Sequence, residues 1–100
     1  MMKIVLMCGG GFSTSLLVQR MQDHAKTLDQ AFDISAVAIS ANKELVEDAN
    51  VLLLGPQVGF RKKEMETKYP AVVVEVIPSI DYGMMDGKKV LEFAIEKAKK

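Results

Sequence analysis

Hydrophobic positions along this chain alternate between two rhythms. Residues 3–7 carry the apolar run Ile4, Val5, Leu6 and Met7, which closes on Cys8 and then on glycine, the pattern of a strand covered on both faces. From 13 to about 28 the spacing turns helical, with Leu17, Met21, Ala25 and Leu28 on one stripe and Ser13 or Thr14 placed to cap the start. A period of two returns over 33–39, and 41–48 reads as a short helix with Leu45 and Val46 facing inward. Val51, Leu52, Leu53 and Leu54 form a continuous apolar strand that stops at Gly55-Pro56. Residues 57–68 read as a mostly polar, partly exposed helix whose apolar members are Val58, Phe60 and Met65. The β-branched run 71–77 predicts a fourth strand ended by Pro78. A last helix over 86–99 places Val90, Phe93, Ala94 and Lys97 at helical spacing, and its lysine-rich end suits the helix dipole.

Strands that alternate with helices imply right-handed crossovers and a parallel sheet. The expected fold is therefore α/β: a three-layer sandwich with a four-stranded parallel sheet in the order 2-1-3-4 and helices on both faces. In such sheets ligands bind beyond the carboxyl ends of the strands, where the winding reverses. Cys8 occupies that point, and the loops over 55–60 and 78–85 leave the same edge beside it.

Composition narrows the partners. A length of 100 residues with 49% hydrophobic content fills one core without metal or disulfide support, so 1–100 is expected to be a single domain. Thirteen basic and thirteen acidic residues leave a formal charge of +0, which favours neither nucleic acid nor an anionic membrane. Proteins or small molecules are the expected partners, and a neutral chain with a complete core is expected to be a monomer when free. The one cysteine cannot form an internal disulfide, and the apolar run before the glycines is too short for a signal peptide or a membrane span. A cytoplasmic location follows as an expectation.

The chemistry concentrates around Cys8. Gly9, Gly10, Gly11, Phe12, Ser13, Thr14 and Ser15 follow it directly and lead into the first helix. A lone cysteine at a strand end is ordinarily a small buried hydrophobe. Three successive glycines each cost about 0.5–1 kcal/mol against alanine in regular structure, which is wasteful unless backbone must approach a ligand. The free N–H groups and positive dipole end of the helix favour negative charge there, on the sulfur or on a bound phosphate dianion, and the hydroxyls add donors. A cysteine phosphatase needs an arginine six residues after its cysteine, where this chain has Thr14, and no Arg or Lys lies between Cys8 and Val18. A Walker-type loop and a thioredoxin-like pair are excluded by the missing Gly-Lys-Ser/Thr and the missing second cysteine. Such a cradle suits a phosphoryl carrier better than a hydrolase. His24, the one histidine, lies about 15 Å along the helix from its start and belongs to the helix surface. Asp81 reads as a turn residue that could face Cys8 together with Tyr82. Phe12, Val58, Phe60, Tyr82, Met84 and Met85 crowd the loops of the same edge and make a candidate docking patch.

Taken in order, Cys8 with its small-residue loop, Ser13-Thr14-Ser15-Leu16-Leu17, Leu53-Leu54-Gly55-Pro56-Gln57, and Val74-Glu75-Val76-Ile77 with Tyr82-Gly83 and Asp86-Gly87 give the chain a family likeness. It resembles the IIB component of the lactose/cellobiose family of the bacterial phosphoenolpyruvate-dependent sugar phosphotransferase system. The resemblance implies that the cysteine matching Cys8 takes a phosphoryl group from a phosphohistidine on the IIA protein. It would pass the group to a β-linked disaccharide or glucoside (cellobiose, chitobiose or lactose type) bound by the membrane IIC protein. It also implies a four-stranded parallel sheet, a phosphate loop over 9–15, peripheral association with the inner membrane face through IIC, and neither metal nor organic cofactor. Two departures stand out: the loop is glycine-richer than the family pattern, and the second helix is short. Two other readings remain at this stage, a small cysteine phosphatase or arsenate reductase on a similar scaffold, and a non-enzymatic regulator that only docks proteins. The sugar itself is not legible, because the membrane component selects it.

Overall fold

The computed structural model describes residues 1–8, 12–38 and 43–99, with backbone alone for Phe12 and Ser13. Gly9, Gly10 and Gly11 of the expected phosphate loop, and 39–42 at the end of the second strand and the start of the helix that follows, lie outside the described residues. The elements are β1 (Met2–Cys8), α1 (Phe12–Ala25), β2 (Phe32–Ala38), a 3₁₀ turn (Lys43–Leu45), β3 (Val51–Leu54), a second 3₁₀ segment (Pro56–Arg61), α2 (Lys62–Lys68), β4 (Val73–Val76), α3 (Ser79–Gly83) and α4 (Gly87–Ala98).

The four strands form one parallel sheet in the order β2-β1-β3-β4, as the alternation of elements predicts. Register sets the working edge. Met7 pairs with Leu54 and Leu54 with Val76, so Cys8, Gly55 and Ile77 all stand one step beyond the paired rows. Backbone bonds extend the ladder through that step, with Gly55 N donating to the Met7 carbonyl and Ile77 N to that of Leu54, each at 2.9 Å.

Strand parity divides the core into two layers. Ile4, Leu6, Val51 and Leu53 face α1 and α4, where they meet Leu17, Met21, Val90, Leu91 and Ala94. Val5, Met7, Leu52 and Leu54 face the other way, toward Val46, Val58, Met65, Tyr69 and Val74. Each fully buried leucine there contributes about 1.5–3 kcal/mol of transfer free energy, enough to make the central strands the stable floor of the site.

Several local expectations change. The segment expected to be a short helix is, among its described residues, a 3₁₀ turn that leaves Leu45 exposed, followed by Val46, which is buried. The single helix expected over 57–68 divides, because Val58 leaves helical geometry at φ −119°, ψ 16°. Gly59 belongs at that break: a Cβ there would stand 3.1 Å from a Val76 methyl. The loop after β4 contains the extra turn α3, and Asp86 accepts the Lys89 N–H at 3.1 Å as the cap of α4.

Candidate functional site

Cys8 ends β1 with the same parity as Ile4 and Leu6, which turns its side chain to the α1 side of the sheet. Cys8 is 7% exposed, and its sulfur lies 2.7 Å from Thr14 Oγ1. Thr14 is 3% exposed and stands in the first turn of α1, which begins at Phe12. Its hydroxyl therefore serves the sulfur, correcting the expectation that Thr14 caps the helix. Beyond it, Thr14 Oγ1 lies 3.4 Å from the Tyr82 hydroxyl. The position where a phosphatase carries arginine thus holds a buried hydroxyl against the Cys8 sulfur.

Tyr82 reaches this point from α3. Its own N–H donates to the Pro78 carbonyl at 3.0 Å and its carbonyl accepts from Met85 N at 3.1 Å. Met85 adopts φ 53°, a left-handed corner that turns the chain toward α4 at a cost of about 1–2 kcal/mol for a residue with a side chain. Arg20 Nη1 holds that corner to α1 by donating to the Met85 carbonyl at 3.1 Å. Gly55 closes the site from β3. A Cβ on it would stand 3.3 Å from Cys8 Cβ, 3.7 Å from the Tyr82 ring and 2.9 Å from Gln57 Oε1. Its φ of −61° is ordinary, so space rather than backbone freedom requires glycine.

The predicted site residues separate accordingly. Cys8 and Thr14 meet, Ser15 points to solvent, and the side chains of Phe12 and Ser13 are outside the described set. Val58 and Tyr82, expected in the docking patch, are core residues, because Val58 packs under β4 and Tyr82 joins the α1/α4 layer. Phe60 at 81% and Met84 at 69% exposure remain accessible, while Met85 is partly buried against the α1/α4 layer of the core. The Arg61 guanidinium lies 5.9 Å from the Phe60 ring centre. Asp81 serves the α3–α4 turn, its carbonyl accepting from Asp86 N at 3.0 Å. His24 sits in the last turn of α1, far from the sulfur along the helix. The sequence lets Tyr82 face Cys8 from the loop after β4; its approach to Thr14 and the close fit of Gly55 against Cys8 escape the sequence reading.

The sequence matches the family model for the lactose/cellobiose-specific IIB subunit of the phosphotransferase system over residues 3–93. The chain belongs to this IIB family. It is 41% identical over 97 residues to the oligo-beta-mannoside-specific EIIB component of Bacillus subtilis (strain 168), covering 95% of this chain and 94% of that one. It is 41% identical over 98 residues to the cellobiose-specific EIIB component of Lactococcus lactis subsp. lactis (strain IL1403), covering 91% of each. Among solved structures, the cellobiose-specific IIB component of Borrelia burgdorferi aligns with TM-score 0.79 at 44% identity, over 98% of this chain and 92% of that chain. The lactose-specific IIB domain of Streptococcus pneumoniae aligns with TM-score 0.83 at 18% identity over 96% of each chain, a likeness of fold. IIB subunits are phosphotransferases in sugar uptake and work between IIA and IIC partners. Membership supports the phosphoryl-carrier reading and gives none to the phosphatase, arsenate reductase or docking-regulator alternatives.

Proposed function

We propose that Cys8 is the phosphorylated residue of this IIB subunit. The observation that carries the reading is the buried sulfur at the carboxyl edge of the sheet, held 2.7 Å from the Thr14 hydroxyl and facing the start of α1. A helix start and its free amides favour the charge of a phosphoryl group at that place. Sulfur attacks the phosphorus of a IIA phosphohistidine in line; the S–P bond forms as the P–N bond breaks, its electron pair stays on the imidazole nitrogen, and the proton lost by the thiol ends there. The loop over 9–15 supplies amide and hydroxyl donors to the equatorial oxygens, and no resident metal or organic cofactor takes part.

The acceptor is a β-linked disaccharide or glucoside presented by IIC at the inner face of the membrane, with the subunit acting from the cytoplasm. Support comes from the related oligo-beta-mannoside- and cellobiose-specific components. No helix among the described residues is long and apolar enough to cross a membrane, which suits a peripheral subunit carried by IIC. Phe60, Met84, Met85 and Phe12 serve as the docking residues, and the chain works as one unit over 1–100, monomeric when free. Incubation with phosphorylated IIA followed by intact-mass measurement tests the reading. One acid-labile phosphoryl adduct is expected on the wild-type chain and none on Cys8→Ser; an unmodified wild type, or an adduct that survives in Cys8→Ser, overturns it.

A further inference from the structure

The hydroxyl of Thr14 sits between two partners, Cys8 Sγ at 2.7 Å and Tyr82 Oη at 3.4 Å. A hydroxyl has one proton to give and two lone pairs to offer. Thr14 therefore donates to the sulfur or accepts from it, and its other neighbour decides which. Either hydroxyl can donate across the outer link; with the more acidic phenol donating to Thr14 Oγ1, the Thr14 proton is left for Cys8. From this geometry we propose that Tyr82 is a positioning residue for phosphoryl transfer, fixing the Thr14 hydroxyl as a donor to the Cys8 sulfur.

The proposal rests on the phosphocysteine reading, and it names a device that the reading alone does not contain. In discharge the S–P bond breaks with its electron pair remaining on sulfur, a P–O bond forms to the sugar hydroxyl, and the proton of that hydroxyl passes to solvent. Negative charge grows on Sγ in that step, and a donor already aimed at it stabilises the transition state without reorganisation. The same donor supports the thiolate that begins the charging step. At 3.4 Å the outer link is long for an O–H···O bond, as is common before a site binds its reacting groups.

The surroundings hold the phenol in place. Tyr82 is 8% exposed and packs with Leu17, Val18 and Leu91 in the α1/α4 layer, so its ring cannot swing to solvent without opening the core. Gly55 leaves room for the ring edge, and the Arg20–Met85 bond ties the turn that carries Tyr82 to the helix that carries Thr14. The pair thus spans α1 and α3 through one hydroxyl–hydroxyl contact.

Alkylation of the full chain with iodoacetamide tests this without any donor protein. The sulfur attacks carbon, the S–C bond forms and iodide leaves with the C–I pair, so the rate reports the state of Cys8. The pH profile is measured for wild type, Tyr82→Phe, Thr14→Val and the double variant, with thermal melts alongside. Tyr82→Phe keeps the ring and is expected to move the profile to the alkaline side and slow neutral-pH alkylation about 3-fold. In the Thr14→Val background Tyr82→Phe is expected to add nothing, whereas in Thr14→Ser, which keeps the hydroxyl, its effect returns. A wild-type profile in Tyr82→Phe, or equal slowing with and without the Thr14 hydroxyl, overturns the assignment; should Thr14→Val not fold, the Tyr82→Phe and Thr14→Ser profiles decide it. A wild-type chain that never accepts phosphate overturns the phosphocysteine reading and leaves this alkylation cycle to be judged separately.

Discussion

Gly55 is the residue that most tightly limits the site. Of the atoms its Cβ would meet, Gln57 Oε1 ends a flexible side chain and can move, while Cys8 Cβ at 3.3 Å belongs to a paired strand and cannot. Gly55→Ala is therefore expected to cost about 1 kcal/mol of stability, a melting shift of roughly 4–8 °C, yet to lower phosphoryl acceptance about tenfold by displacing the sulfur. Melting curves and the mass-based transfer assay separate the two effects, and an unchanged transfer rate would refute the displacement. At this scale the sequence was legible where chemistry is local: Cys8 beside glycines and Thr14 in the arginine position are visible as letters. Gly55 reads as a strand terminator at the edge beside Cys8, and Tyr82 as a loop residue able to face it, but the contacts each makes are not visible as letters. Both gain their roles from neighbours 47 and 68 positions away in the chain, Cys8 and Thr14 respectively.

Elements meet under similar restraint where α4 begins against α1. A Cβ on Gly87 would lie 2.5 Å from the Arg20 carbonyl carbon and 2.7 Å from Met21 N, backbone atoms that cannot yield unless the helices part. Gly87→Ala is expected to destabilise by about 2–3 kcal/mol, roughly 10–20 °C in melting temperature. Gly83→Ala, with nothing within 4 Å of its Cβ, serves as the control and should melt within a few degrees of wild type. Equal melting of the two variants would show that the crossing is looser than its distances. The strands were legible because continuous apolar or β-branched runs have few alternatives. Less legible were the short elements, where a break at Val58 or a one-turn helix at 79–83 is decided by packing rather than by period. Leu45 follows from the same cause: three residues of 3₁₀ helix do not present the face that an α-helix would.

Across the whole molecule, the start of β1 is clasped to the segment that leads into β3. Lys3 N donates to Asn50 Oδ1 at 2.8 Å, Asn50 N donates to the Lys3 carbonyl at 2.9 Å, and the Lys3 ammonium pairs with the Asp48 carboxylate. That hydrogen bond from Lys3, aided by its charge, holds Asp48 below the ordinary carboxylate value of 3.8. A lowered folded-state value means the pair stabilises the fold above the ordinary value and loses that contribution as pH falls through the lower one. Urea unfolding is expected to find Asp48→Asn less stable than wild type near neutral pH, with the gap closing in strong acid; a gap that persists there would refute the pairing. The sheet order could be read from alternation and crossover handedness alone, whereas this clasp joins residues whose proximity only the folded register creates. The depth of Cys8 has a last consequence for the molecule in its proposed role. Cys8 is 7% exposed and offers a single sulfur, which carries one phosphoryl group at a time. Donor and acceptor must therefore take turns, the first departing before the second arrives, and the subunit works as a shuttle whose two half-reactions never share a complex.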